Sequence, residues 1–121
     1  MEWEQVRELL ASGLLAIGSH ACTHRPLTTL APAELQRELT EARRVILEKL
    51  GEAALSLAYP NGDHDSAVAN ASREAGYLLG FTTEPGFVTR GDDRFRLRRM
   101  NIHESATDSN AAFLCRLVGL Y

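Results

Sequence analysis

The chain has 121 residues, with 13 Lys+Arg against 16 Asp+Glu, a formal net charge of -3 and 45% hydrophobic residues. That balance excludes a disordered polyelectrolyte and a general nucleic-acid binder, and the length fits one domain while falling well short of the about 250 residues of a complete eight-fold β/α barrel. Two cysteines, Cys22 and Cys115, are too few for a disulfide framework, and no apolar run reaches the about 18 residues a membrane span requires.

Trp3, Val6, Leu9 and Leu10 recur at helical spacing ahead of Gly13, so residues 3–12 read as a short helix. Leu14 to Ile17, bounded by Gly13 and Gly18, is expected to form a buried parallel strand. After a loop rich in His, Thr and Pro, the clearest helix is predicted from Pro32 to Leu50, with Gly51 as its stop. Leu35, Leu39, Ala42, Ile46 and Leu50 make its apolar stripe; Glu34, Arg37, Glu38, Glu41, Arg44 and Glu48 read as a solvated face. Ala54 to Ala58 reads as a second buried strand, ended by Tyr59-Pro60-Asn61-Gly62, because proline cannot donate to a ladder and Asn-Gly favours a tight turn. Asp65 or Ser66 is placed to cap a helix running to about Ala75. Tyr77 to Thr82 and Phe95 to Ile102 are expected as further strands, and Ser109 to Val118 as a last helix with Phe113, Leu114, Leu117 and Val118 on its apolar side. The order predicts an α/β chain, residues 1–121 forming one domain with mostly parallel strands. Met1-Glu2-Trp3-Glu4 has neither the basic start nor the apolar core of a signal peptide, so the chain as written is expected to be cytoplasmic.

Three polar clusters fall at the carboxyl ends of predicted strands, where parallel α/β folds place their sites: Ser19 to His24, Tyr59 to Asp65, and Arg99 to His103. His20 and His24 stand four residues apart and can share one metal ion, on a helical turn or in a loop that folds back; an ordinary loop with two histidines is the alternative. Cys22 joins their face only if the segment is extended, and it is expected to pack as a small hydrophobe instead. Arg90, Arg94, Arg96, Arg98 and Arg99 crowd ten residues, but Asp92 and Asp93 among them argue against a nucleic-acid patch. A strand from Phe95 to His103 would put Arg99 and His103 on one face near its exit, lining a site; scattered surface residues are the alternative. His64, between two aspartates in a turn, reads as solvated, and Asp63 and Asp65 are candidates for a further metal ligand, with a plain turn favoured for Asp63.

The segments Ile17-Gly18-Ser19-His20-Ala21-Cys22-Thr23-His24-Arg25-Pro26-Leu27 and Ala58-Tyr59-Pro60-Asn61-Gly62-Asp63 resemble the polysaccharide deacetylase family, the NodB-like carbohydrate esterases. The resemblance implies a partial, deformed β/α barrel lacking its first strand, in an N-terminally truncated, incomplete domain. It implies hydrolysis of the amide of N-acetylated sugars with a divalent metal, zinc being the expected one. His20 and His24 match the family's metal-ligating histidines, and Tyr59 and Pro60 match its substrate groove wall. Arg99 would stand in for the arginine expected where Ala58 lies, and His103 would be the general acid. Nothing matches the family's Thr-Phe-Asp-Asp-Gly segment, which carries the third ligand and the catalytic base. The alternatives are a non-catalytic remnant that dimerises through an exposed sheet edge, and a small zinc module using His20, Cys22 and His24. The implied partner is an N-acetylated carbohydrate, with no nucleic acid and no membrane.

Overall fold

The computed structural model describes residues 1–103 and 107–119. Its elements run α1 (Trp3–Ala11), α2 (Pro32–Leu50), β1 (Ser56–Ala58), α3 (Ser66–Glu74), β2 (Leu79–Pro85), β3 (Leu97–Arg99) and α4 (Asn110–Leu117). The sheet is open, in the order β1-β2-β3, with both pairings parallel. Local chemistry sets the boundaries. Pro32 opens α2 and Gly51 closes it at φ 77°, a left-handed conformation cheap only for glycine. The Asp65 carboxylate accepts a 2.8 Å hydrogen bond from the Val68 amide and caps α3.

The core lies between one face of the sheet and helices α2 and α3, and is built from Leu27, Leu35, Leu39, Ala54, Leu57, Tyr59, Val68, Tyr77 and Phe95. Around β1 burial alternates: Ala54, Leu57 and Tyr59 are buried, while Leu55 is 53% exposed. The expected strand buried on both faces is therefore a half-covered one, with the face that Leu57 and Tyr59 present packed on residues of α2 and α3.

The predicted strand at Leu14 to Ile17 does not form. Leu14 is 86% exposed, and pairing begins only at Ser19, a single parallel bridge to Leu57. The Ser19 amide donates to the Ser56 carbonyl (2.8 Å) and the Ala58 amide to that of Ser19 (2.9 Å). An apolar run makes a buried strand only where another layer covers it, and α1, which buries none of its residues, supplies no such cover. The strand predicted to Ile102 likewise ends at Arg99, so Asn101 and His103 do not continue its face. Between Phe81 and Pro85 the β2–β3 register slips: four residues of β2 span two of β3. This irregularity lets Thr82 bond sideways, its hydroxyl donating to the Leu97 carbonyl at 3.1 Å. Among the described residues, no helix is long and apolar enough to cross a membrane.

Candidate metal and substrate site

The carboxyl end of the sheet gathers the predicted site residues. The Ser19 bridge aligns His20 with Ala58, and Ala58 pairs with Phe81, which pairs with Leu97. His20 and Arg99 thus leave the same end of the sheet on opposite edges, three strands across, with Arg99 two residues further along β3.

His20 is fixed by a 2.7 Å hydrogen bond between its Nδ1 and the Ala58 carbonyl. A carbonyl only accepts, so Nδ1 carries a proton, and in the neutral ring Nε2 is then the nitrogen with the lone pair through which an imidazole binds a metal. The His24 ring lies edge-on to it, with centroids 4.7 Å apart and planes at 70°. Both side chains are exposed. The segment is a folded-back loop, neither a helical turn nor extended: Ala21 (φ 62°) and His24 (φ 58°) both take left-handed backbone conformations. For residues with a Cβ each costs roughly 1–2 kcal/mol.

Glu38 holds that loop in place. Far from joining a solvated helix face, its side chain is turned inward, with 6% of the residue exposed. Its Oε2 accepts from the amides of Cys22 and Thr23, both at 2.9 Å, and its Oε1 from the Thr23 hydroxyl at 2.7 Å. Burial alone would push its carboxyl up, but these hydrogen bonds, helped by Arg25, outweigh it and hold the group below the ordinary glutamate value. Sequence reasoning missed this residue, although its place three positions after Leu35 and four before Ala42 puts it on the flank of the buried stripe.

Cys22 is exposed, not packed as a small hydrophobe, because the loop turns its backbone toward Glu38. Partial desolvation and the Glu38 and Glu41 carboxylates push its thiol up, which disfavours the thiolate a zinc ligand needs. Two neutral imidazoles suit zinc in donor chemistry, and they are two of the three protein ligands usual in a catalytic site. Among the described residues no cluster of three or more His, Cys, Asp or Glu side chains could hold an ion. Asp65 is committed to capping α3.

Tyr59 and Pro60 sit beneath this surface instead of lining it. Tyr59 is fully buried. Its hydroxyl donates to the Phe95 carbonyl at 2.9 Å, and its amide donates to that of Phe81 at 3.0 Å, so neither is open to a substrate. Burial raises its phenol to about 12. The close fit depends on Gly80, where a Cβ would fall 2.2 Å from the Tyr59 hydroxyl. The Asn61-Gly62 turn forms as expected, with φ 57° and 81°. His64, expected in solvent, is half-buried and stacked on the Tyr59 ring at 5.4 Å.

Arg99 donates through Nε to the Thr82 carbonyl at 2.7 Å and, with Thr83, Met100, Asn101 and Ile102, lines an open cavity of about 310 Å³. His103 is exposed in the irregular segment that follows, where its carbonyl accepts from both the amide and the hydroxyl of Thr107. The geometry therefore pairs His20 with His24, and sets Arg99 on the far edge of the same sheet end.

Residues 1–80 match the family model for polysaccharide deacetylase. The chain belongs to the polysaccharide deacetylase family. The matched span holds the histidine loop, Glu38 and the Tyr59-Pro60 turn, and stops short of Arg99 and His103. Among curated proteins, YxkH of Bacillus subtilis (strain 168) is 27% identical over 106 residues, covering 88% of this chain and 38% of YxkH. Among solved structures, a polysaccharide deacetylase from Bacillus cereus superposes with a TM-score of 0.84 at 25% identity, over 97% of this chain and 36% of its own. The Streptococcus pyogenes deacetylase PplD, solved with acetate, gives 0.85 at 21% identity, over 94% of this chain and 49% of its own, a likeness of fold. The chain thus spans less than half the length of these relatives. The three-stranded parallel sheet with its helices is the corresponding part of their fold.

Proposed function

We propose that this chain supplies the paired-histidine part of a metal-assisted site that removes acetyl groups from N-acetylated polysaccharide, with residues 1–121 acting as one incomplete domain. The observation that carries this reading is the tautomer-fixing bond from His20 to the Ala58 carbonyl, with His24 4.7 Å away at the carboxyl end of a parallel sheet. His20 through Nε2, and His24 beside it, would hold a divalent metal, zinc by donor chemistry. When bound, such a metal supplies Lewis-acid polarisation of an amide carbonyl and lowers the pKa of water. The Arg99 guanidinium, bonded through Nε to the Thr82 carbonyl, would donate to a substrate carbonyl or hydroxyl, and the cavity beside it offers room for part of a sugar. His103 stands close to that cavity in sequence and is the candidate proton donor. Tyr59 and Pro60 shape the floor by packing, without touching the sugar.

Zinc titration of the chain, with acetate release from N-acetylated chitooligosaccharides measured alongside, tests the reading. His20→Ala and His24→Ala should each weaken zinc binding at least 100-fold; zinc affinity unchanged in both variants would refute the assignment. A second reading, a self-associating non-catalytic module, draws on the exposed Leu14, Leu15, Phe113 and Leu114 and on the single-bridge sheet edge at Ser19. Sedimentation of the chain as a monomer across the micromolar range would remove it.

A further inference from the structure

Glu38 is the buried glutamate of α2, and its carboxylate is spent on the loop between the two histidines. Two consecutive amides, those of Cys22 and Thr23, converge on one oxygen, while the Thr23 hydroxyl occupies the other. Successive amides form such an anion-binding concavity only when the backbone around them is bent, and the left-handed Ala21 and His24 bracket this pair. The bend that turns the amides toward Glu38 is the same bend that brings the His24 ring back onto His20. Without the carboxylate, two partly buried N–H groups lose their acceptor and the two left-handed residues lose what holds them. On the other side, His20 is fixed by Ala58, so the two imidazoles are anchored to different elements: one to the sheet, one through Glu38 to a helix.

We propose that Glu38 is the positioning residue of the histidine pair, holding His24 where it and His20 can share one divalent metal ion. This role rests on the reading of His20 and His24 as metal ligands. Methionine offers the Cys22 and Thr23 donors no oxygen, so Glu38→Met removes the acceptor set at nearly constant volume.

The test is zinc affinity of the full chain by competition with a chromophoric chelator, read together with hydrogen exchange at the Cys22 and Thr23 amides. Glu38→Met should weaken zinc binding about 10–100-fold and speed exchange at both amides, with far-UV circular dichroism unchanged. Thr23→Val, which removes one of the three bonds, should give a smaller loss in the same direction and serves as the decisive variant if Glu38→Met does not fold. Faster amide exchange with unchanged zinc affinity would show Glu38 to be a structural tether only and overturn the positioning role. If zinc binding is lost in His20→Ala and His24→Ala but kept in Glu38→Met, the ligand assignment stands and the positioning role falls. A wild-type chain that binds no zinc overturns the ligand assignment, and the positioning role with it.

Discussion

The two edges of the sheet end are built differently. The histidine loop is held by a buried carboxylate making three hydrogen bonds and by a ring nitrogen bonded to β1. The exit of β3 carries a guanidinium bond from Arg99 to the Thr82 carbonyl, beyond which the described backbone is irregular. The first edge fixes ring positions; the second leaves a cationic side chain beside an open cavity.

That contrast can be broken at its strong side first. Glu38→Ala should destabilise the chain by about 2–3 kcal/mol, since it strands half-buried donors; a change below about 0.5 kcal/mol in urea denaturation would show that the loop does not depend on it. The same carboxylate predicts an acid limb. Because its folded pKa is depressed, its stabilisation is fully present above the ordinary value of 4.5 and is lost as pH falls through the lower folded value. The wild type should therefore lose stability more steeply than Glu38→Gln below that point, and parallel curves would contradict the assignment. Tyr59→Phe, which removes the bond to Phe95 under both edges, should cost about 1–1.5 kcal/mol without altering zinc affinity. Arg99→Ala should cost only about 0.5 kcal/mol of stability, as an exposed residue, while weakening binding of N-acetylated chitooligosaccharides by calorimetry. Equal binding by Arg99→Ala and wild type would make the second edge a plain strand exit.

Much of this arrangement is legible in the sequence where short-range chemistry decides. Pro32 and Gly51 bound α2, Asp65 caps α3 and Asn61-Gly62 turns the chain, each through its own backbone preference. Leu14 to Ile17 misleads because hydrophobicity reports a wish for cover and not its presence. Glu38 was hidden by the habit of assigning charged residues to solvent; a carboxylate flanking an apolar stripe is equally the mark of a buried acceptor awaiting donors from elsewhere in the chain. Tyr59 matches a groove wall through the resemblance alone, whereas the structure turns it inward with Leu57, two residues before it on the same face of the chain.

The Tyr77 hydroxyl, donating to the Leu39 carbonyl at 3.0 Å, gives the helix a second acceptor duty one residue from Glu38. Tyr77 precedes β2, so the sheet is gauged against the helix there, and the helix against the histidine loop one residue earlier. The height of the loop above the strand ends is thus set by a two-link linkage whose middle member is a single turn of α2. Core substitutions that slide α2 along the sheet would be read out, amplified and at a distance, as a change in the spacing of two imidazoles.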